Sequence, residues 1–411
     1  MKKLISMVSL AALLTAGSAW ASGYRIPEQS VDSTATAGAH IASADGADAS
    51  YYNPANMSWS SAETWQVEGD LTYIHLPAVS YSDDRSVAMN GESEKENFLL
   101  PTVFMVSPEY NKFRVGFSVT APYGLSKRWQ QPFPRTFAEE YSLKVFDINP
   151  TISYKLCDYF SFAAGPRILY STAKVSSNGV VSRAMGYTAS RFMEGDTTEM
   201  GWNAALSARP MKNMTLAATY RSEVDLDLEG DALLGTNTQA MPVATGGGVS
   251  IPAPAVLSLS AAYTFDKLTV DLTWDRTYWS DYENIIFQYD TILRNPVLIG
   301  AFGAPIVKNW DDSDAYRLGL SYDLNETWTL MAGFAYDQTP VPDATLGFEL
   351  PDSDAYLYSL GARYRVSKQI ELGAGYLYDY KKSRLVTNAT VDGTFTDSAA
   401  HLLTVGLTYT F

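Results

Sequence analysis

The chain has 411 residues, with 45 Asp and Glu against 30 Lys and Arg for a formal net charge of −15, an acidic balance that argues against a nucleic-acid partner. Hydrophobic residues reach 46% and aromatics 13%, including 27 Tyr and 9 Trp, which fits a membrane barrel with aromatic girdles better than a soluble enzyme. A single cysteine, Cys157, excludes an intramolecular disulfide.

Lys2 and Lys3 precede an apolar stretch from Leu4 to about Ala16, and Ala19-Trp20-Ala21 follows it. These are the basic, hydrophobic and small-residue parts of a secretory signal, with cleavage expected after Ala21. The stretch is too short for a stable membrane helix, and no later segment approaches about 20 consecutive apolar residues. The expected organisation is therefore 1–21 signal peptide, 22–62 plug and 63–411 β-barrel.

Residues 22–62 are rich in small side chains, as in Thr34-Ala35-Thr36-Ala37-Gly38-Ala39 and the stretch from Ala42 to Ser50. Such a segment suits short helices or turns packed in a narrow space, with Asp45 and Asp48 available to cap them or pair with lumen arginines. A hatch inside the barrel is the economical reading, since Ile41, Tyr51, Tyr52 and Trp59 are more apolar than a disordered tail needs. The segment closes on Asn53-Pro54-Ala55, in which Asn before Pro favours a rigid bend.

From Thr64 to Tyr73 the period is two: Trp65, Val67, Gly69, Leu71 and Tyr73 alternate with Thr64, Gln66, Glu68, Asp70 and Thr72. Similar runs recur near 98–107, 112–121, 144–156, 159–173, 199–209, 214–226, 255–265, 267–279, 314–323, 327–337, 355–366, 370–380 and 401–411. The last run puts Leu403, Val405, Leu407, Tyr409 and the terminal Phe411 on one face. The fold class expected is all-β, a 14-stranded antiparallel transmembrane barrel with an N-terminal hatch in its lumen. Tight turns near 108–111, 157–158, 210–213, 266, 324–326 and 367–369 alternate with long stretches at 74–97, 122–143, 174–198, 227–254, 280–313, 338–354 and 381–400. That is the outer-membrane arrangement, with tight turns periplasmic and long loops extracellular.

If the apolar set of each strand faces lipid, Arg114, Arg167, Arg209, Arg221, Arg317, Arg363 and Arg365 point inward with Glu68, Asp70, Asp271, Asp275 and Glu371. Ion pairing across the lumen is the plain reading of these charges. The run at 98–107 is apolar on both faces, with Leu99, Val103 and Met105 opposing Phe98, Leu100, Phe104 and Val106. Leu169, Val256 and Met331 also point inward by parity. These side chains either pack on a plug or line an apolar ligand route.

The chain resembles the FadL family of outer-membrane transporters for long-chain fatty acids and other hydrophobic compounds. Ser22-Gly23-Tyr24, Ala44-Asp45-Gly46-Ala47 leading to Asn53-Pro54-Ala55, Pro122-Tyr123-Gly124-Leu125, Thr219-Tyr220-Arg221-Ser222-Glu223, Asp314-Ala315-Tyr316-Arg317 and Asp337-Gln338-Thr339-Pro340-Val341-Pro342 carry the resemblance. It implies a monomeric barrel in which a hatch bearing Asn53, Pro54 and Ala55 lies near a kink in the third strand, here Ala121 to Ser126 around Gly124. Substrate is caught in a groove between loops, moves to a lumen site and leaves sideways through the kink into the membrane. Independently of the family, Pro122 and Gly124 are residues that interrupt a strand ladder. Lys308 matches a family lysine for the ligand head group, and the inward Arg317 and Arg221 are candidates to share that role. The family's basic position in the fifth strand falls near Thr172, with Lys174 nearby. Leu233, Leu234, Met241 and Val243 are candidates for the outer groove.

Partners expected are a long-chain fatty acid or other hydrophobic small molecule, together with outer-membrane lipid and lipopolysaccharide. No nucleotide loop or Cys/His metal pattern is present, and His40, His75 and His401 are scattered, so no enzyme activity, metal or cofactor is expected. Uptake of aromatic hydrocarbons is the alternative within the family, and a general porin is a more distant one.

Overall fold

The computed structural model describes residues 23–411, so the signal segment expected at 1–21 lies outside the described residues. Fourteen antiparallel strands close into a barrel. They are β1 (Gln66–Leu76), β2 (Glu96–Val106), β3 (Phe113–Arg128), β4 (Glu140–Lys155), β5 (Phe160–Ser182), β6 (Tyr187–Met211), β7 in two pieces (Met214–Arg221 and Val224–Thr236), β8 in two pieces (Val243–Ala253 and Ala255–Phe265), β9 (Leu268–Tyr278), β10 (Ser313–Asp323), β11 (Trp328–Asp337), β12 (Ala355–Arg365), β13 (Ile370–Lys381) and β14 (Ala399–Thr410). Each strand pairs with its sequence neighbours, and β14 pairs back onto β1 from Gln66↔Thr410 to His75↔His401. Closure removes every edge that an open sheet would leave unpaired.

Alternation sorts the side chains as parity requires. Leu71, Tyr73, Leu403, Val405 and Leu407 are exposed on the outer face, whereas Glu68, Asp70, Thr72, Leu402 and Thr404 are buried inside. Inward charges are matched across strands: Arg167 Nε donates to Asp147 Oδ2 at 2.8 Å, and Arg363 Nη2 to Glu68 Oε1 at 2.6 Å. Pairing and additional hydrogen bonds are what make such buried ions tolerable.

Two stretches expected to be long loops, 174–198 and 227–254, are instead mostly strand: β5 and β6 run 23 and 25 residues, and the outer pieces of β7 and β8 pair beside them. At roughly 3.3 Å per residue such strands reach far beyond an apolar band about 25 Å tall. Beyond that band the outer face is wet, so the apolar-outward pattern reverses. Leu226 and Leu228 are buried inside, while Asp225, Asp227 and Glu229 face out.

Residues from Tyr24 to Ser58 are almost entirely buried against inward side chains. They form α1 (Val31–Ala35), α2 (Ala49–Tyr52) and a 3₁₀ turn (Pro54–Trp59). Ser30 caps α1 by accepting from Ser33 N, as a short helix needs. This helix lies on a track of wall glycines. A Cβ at Gly333 would sit 2.2 Å from the carbonyl carbon of Thr36, and one at Gly373 would sit 2.8 Å from Val31 Cγ1. Gly333→Val is therefore expected to unseat α1 at a cost of roughly 1–3 kcal/mol, leaving the barrel closed. Limited proteolysis within residues 23–62, faster than in the parent protein, is the readout; unchanged cleavage would contradict the tight fit.

Candidate functional site

The ladder between β2 and β3 is short. It holds only from Val103↔Val119 to Val106↔Gly116, so Glu96 to Thr102 have no backbone partner on β3. On its other side β3 carries a bulge, where Ala121 and Pro122 fall between the pairs Thr120↔Asp147 and Tyr123↔Val145. Pro122 has no N–H to give a ladder, and bulges bend a strand away from its neighbour. Farther up, Ser126 Oγ and Arg128 Nε both donate to Glu96 Oε1, at 2.9 and 2.7 Å. The result is a window in the wall, with the Val103–Val119 pair as its sill and Glu96 as its lintel.

The N-terminal segment gives β3 the pairing that β2 withholds. Ile26 N donates to Pro122 O at 2.7 Å, and Gly124 N donates to Tyr24 O at 2.9 Å. The Gln29 amide then imitates a strand partner for Ala121. Its Oε1 accepts from Ala121 N at 2.8 Å, and its Nε2 donates to Ala121 O at 3.1 Å. On the opposite jamb Thr102 Oγ1 donates to Gln29 O at 2.7 Å. Orphaned backbone groups of a broken ladder are thus satisfied by one side chain, as buried N–H and C=O groups require. Tyr24 is held in turn by Trp279, Tyr282 and Trp310, with ring centroids 4.6 to 6.3 Å away, and its hydroxyl donates to Pro252 O.

Deeper in the segment, His40 Nε2 lies 3.0 Å from Asp48 Oδ2, and Ser30 Oγ donates to the same oxygen at 2.7 Å. Burial favours the neutral ring, but the charge and hydrogen bond of Asp48, together with the nearby Asp32 and Asp271, outweigh it and lift the imidazole to about 9. The pair is charged at neutral pH and ties α1 to α2.

Toward the outer end, a cavity of about 270 Å³ is lined by Phe137, Tyr141, Phe302 and Phe348 among others, with Lys308 and Glu349 on its polar side. Lys308 is buried and ion-paired with Glu349. An aromatic cluster of Tyr81, Trp129, Phe348 and Phe395 packs over this region, and Trp129 Nε1 donates to Phe348 O at 2.8 Å.

A family model described as outer membrane protein transport protein (OMPP1/FadL/TodX) matches residues 12–411. The chain belongs to this family. It is 25% identical to the long-chain fatty acid transport protein of Escherichia coli (strain K12), covering 92% of both chains, and 23% identical to outer membrane protein P1 of Haemophilus influenzae, covering 91% of this chain and 89% of that one. Among solved structures, a Pseudomonas aeruginosa FadL homologue superposes with a TM-score of 0.84 at 22% identity, covering 95% of this chain and 100% of the other. The toluene transporter TodX of Pseudomonas putida does so with a TM-score of 0.72 at 16% identity, over 95% and 100%. The FadL-family chain is an outer-membrane transport protein for hydrophobic compounds, not an enzyme.

Within this FadL-family barrel the family motifs land in unequal places. Asn53 Nδ2 donates to Ile41 O and Ser207 Oγ, and Ala55 O accepts from Ser161 Oγ at 2.8 Å, with Ala163 and Ala205 packed beside it. Asn53, Pro54 and Ala55 therefore dock on β5 and β6, and the expected seat beside Gly124 is taken by Tyr24 to Gln29. Pro54 opens the 3₁₀ turn that directs this docking. Of the expected kink, Ala121 lies in the break, while Gly124 already pairs again with Lys144.

Arg317 and Arg221 both bond the N-terminal segment from the wall. Arg317 donates to Asp275, Asp337 and Ala37 O, each at 3.0 Å. Arg221 donates to Tyr51 O and stacks 3.8 Å over the Tyr51 ring.

Leu99, Val103 and Met105 are corrected as lumen residues. The register Tyr73↔Leu99, Gly69↔Val103 and Val67↔Met105 carries them to the outer face, where Leu99 is 45% exposed. A strand apolar on both sides has no parity of its own, and pairing with β1 decides it. Leu169, Val256 and Met331 do face inward; Met331 packs on Val31 and Ala35, and Val256 borders the small void beside the window. Among the groove candidates, Leu233 and Met241 are exposed, whereas Leu234 is buried with Leu298 and Phe302, and Val243 packs against them. Gln29 and Thr102 were not legible as site residues, because only the broken ladder gives their polar groups a task.

Proposed function

We propose that the protein takes up long-chain fatty acids passively across the outer membrane, as a monomer in contact with lipid and lipopolysaccharide, with residues 22–62 as a hatch after removal of 1–21. The acyl chain enters from the outer loops, rests in the lumen and leaves sideways through the window between β2 and β3 into the bilayer. The observation that supports this reading is the set of bonds from Tyr24, Ile26 and Gln29 to β3 at the place where β2 lets go, so that a segment outside the barrel wall fills the break in it. Sideways exit suits an acyl chain, since passage from an apolar site into water costs about 0.8 kcal/mol per CH₂. No energy source is then needed. Relatives named long-chain fatty acid transport proteins agree with this choice of substrate.

The test is uptake of labelled hexadecanoate by cells that have no other route, comparing the parent protein with Pro122→Val/Gly124→Val, which lets β3 form a continuous ladder with β2. Uptake is expected to fall about tenfold with hexadecanoate binding retained. Equal uptake by both proteins would rule out the window as exit. Uptake of toluene without uptake of hexadecanoate would instead assign the protein to aromatic hydrocarbons.

A further inference from the structure

Arg191 and Ser177 face each other across β5 and β6, where the pair Ser177↔Arg191 belongs to the ladder. Both lie in the wall common to two cavities. One is the inner cavity of about 270 Å³ that Lys308 lines, and the other is an outer cavity of about 450 Å³ bordered by Leu233, Phe192 and Pro242. Arg191 is 4% exposed and Ser177 3%. The guanidinium sits 3.8 Å from the Phe287 ring centroid and 5.1 Å from that of Phe302. Its Nη2 donates to Tyr141 Oη at 3.2 Å, while Arg191 Nε and Ser177 Oγ have no hydrogen-bond partner. Among the described residues no carboxylate reaches ion-pair distance of Arg191, although Arg167, Arg317 and Arg363 are each matched by at least one.

A permanently charged group buried among aromatic rings with no counter-ion carries a large desolvation cost, and an anion supplied from outside relieves it. The cations read from the sequence are already neutralised: Glu349 holds Lys308, and carboxylates hold Arg317. We propose that Arg191, assisted by Ser177, is the specificity-determining cation of this transporter. It receives the carboxylate of an amphiphilic ligand from the outer cavity and presents it to the inner one, with Ser177 Oγ donating to the second carboxylate oxygen. The apolar tail then lies against Phe137, Phe302 and Phe348. The assignment rests on the fatty-acid reading above and refines it, because a toluene-like ligand has nothing to offer an unpaired guanidinium.

The full-length protein in lipid nanodiscs tests it, with hexadecanoate at pH 8 and hexadecan-1-ol as probes. Arg191→Gln is expected to weaken hexadecanoate binding tenfold or more, as loss of a charge-assisted hydrogen bond predicts, and to leave hexadecanol within about twofold. Arg191→Lys keeps the charge and is expected to recover part of the loss, and Ser177→Ala gives a smaller, acid-selective one. Heat-modifiable migration of the barrel on gels reports whether each variant is folded. Equal weakening of acid and alcohol, or no weakening of either, overturns the assignment while leaving the uptake reading intact. Failure of the parent protein to bind either long-chain probe overturns the uptake reading itself and the assignment with it.

Discussion

Joining the N-terminal segment to the wall through Thr34→Cys and Thr404→Cys is expected to abolish uptake while oxidised and to restore it on reduction. The two hydroxyls lie 2.8 Å apart, and Thr72 Oγ1 is also 2.8 Å from Thr404, so the residues already meet side chain to side chain. A disulfide joins side chains that meet at this range, with Cβ atoms about 3.8 Å apart. Thr34 belongs to α1, five residues beyond Gln29. Fixing α1 therefore holds the Gln29 amide on Ala121, and among the described residues the void lined by Pro122 and Tyr123 beside the window is about 30 Å³, room for little more than a water or two. An acyl chain does not fit through such a space until the segment moves. In a Cys157→Ser background, which removes the exposed native thiol, oxidised protein is expected to take up hexadecanoate at least about tenfold more slowly than either single cysteine variant. Undiminished uptake by the oxidised protein would mean that substrate passes without displacement of the hatch.

The barrel was readable in the sequence because lipid imposes a period of two that short-range inspection detects. Trp65 to Tyr73 and Leu403 to Phe411 show it directly, and register pairs the two runs as parity requires. Where lipid ends, so does the signal. Leu228, Ala232 and Leu234 face inward from a strand with acidic residues on its outer side, and with the apolar side reversed their stretch reads as loop. The site was less legible for a different reason. Inward arginines are evident by parity, yet whether a cation is free depends on partners far away in the chain: Arg317 meets Ala37, Asp275 and Asp337, whereas among the described residues no carboxylate reaches ion-pair distance of Arg191. Arg191 lies in the stretch 174–198 that reads as a loop, and only the structure shows it buried in line with Ala189 and Met193. Pro122 marked the broken ladder, but nothing local marked Gln29 and Thr102 as the groups that seal it.

Arg317→Ala separates anchoring from head-group recognition, and its expected effect is a large loss of stability without ligand selectivity. The side chain is fully buried and holds three elements together: Nε on Asp275 of β9, Nη2 on Asp337 of β11, and Nη1 on the carbonyl of Ala37, with Glu28 3.8 Å away. Gly38 packs so closely that a Cβ there would lie 2.9 Å from Nη1, and its φ of +79° is one that other residues rarely adopt. Truncation leaves Asp275 with Arg25, at 3.3 Å, and the hydroxyl of Ser258, and takes the guanidinium from Asp337 and Glu28. Removing one partner of a buried ion pair costs roughly 3–5 kcal/mol, most of it the penalty of the carboxylates left behind. The urea concentration that unfolds the barrel should therefore fall clearly, and residues 23–62 should become sensitive to protease first. Hexadecanoate and hexadecanol affinities should decline together. Arg317→Met with Asp337→Asn is expected to recover part of the stability, because it removes a charge from each side of the pair. A selective loss of the acid with stability unchanged would make Arg317 the head-group cation and displace Arg191 from that role.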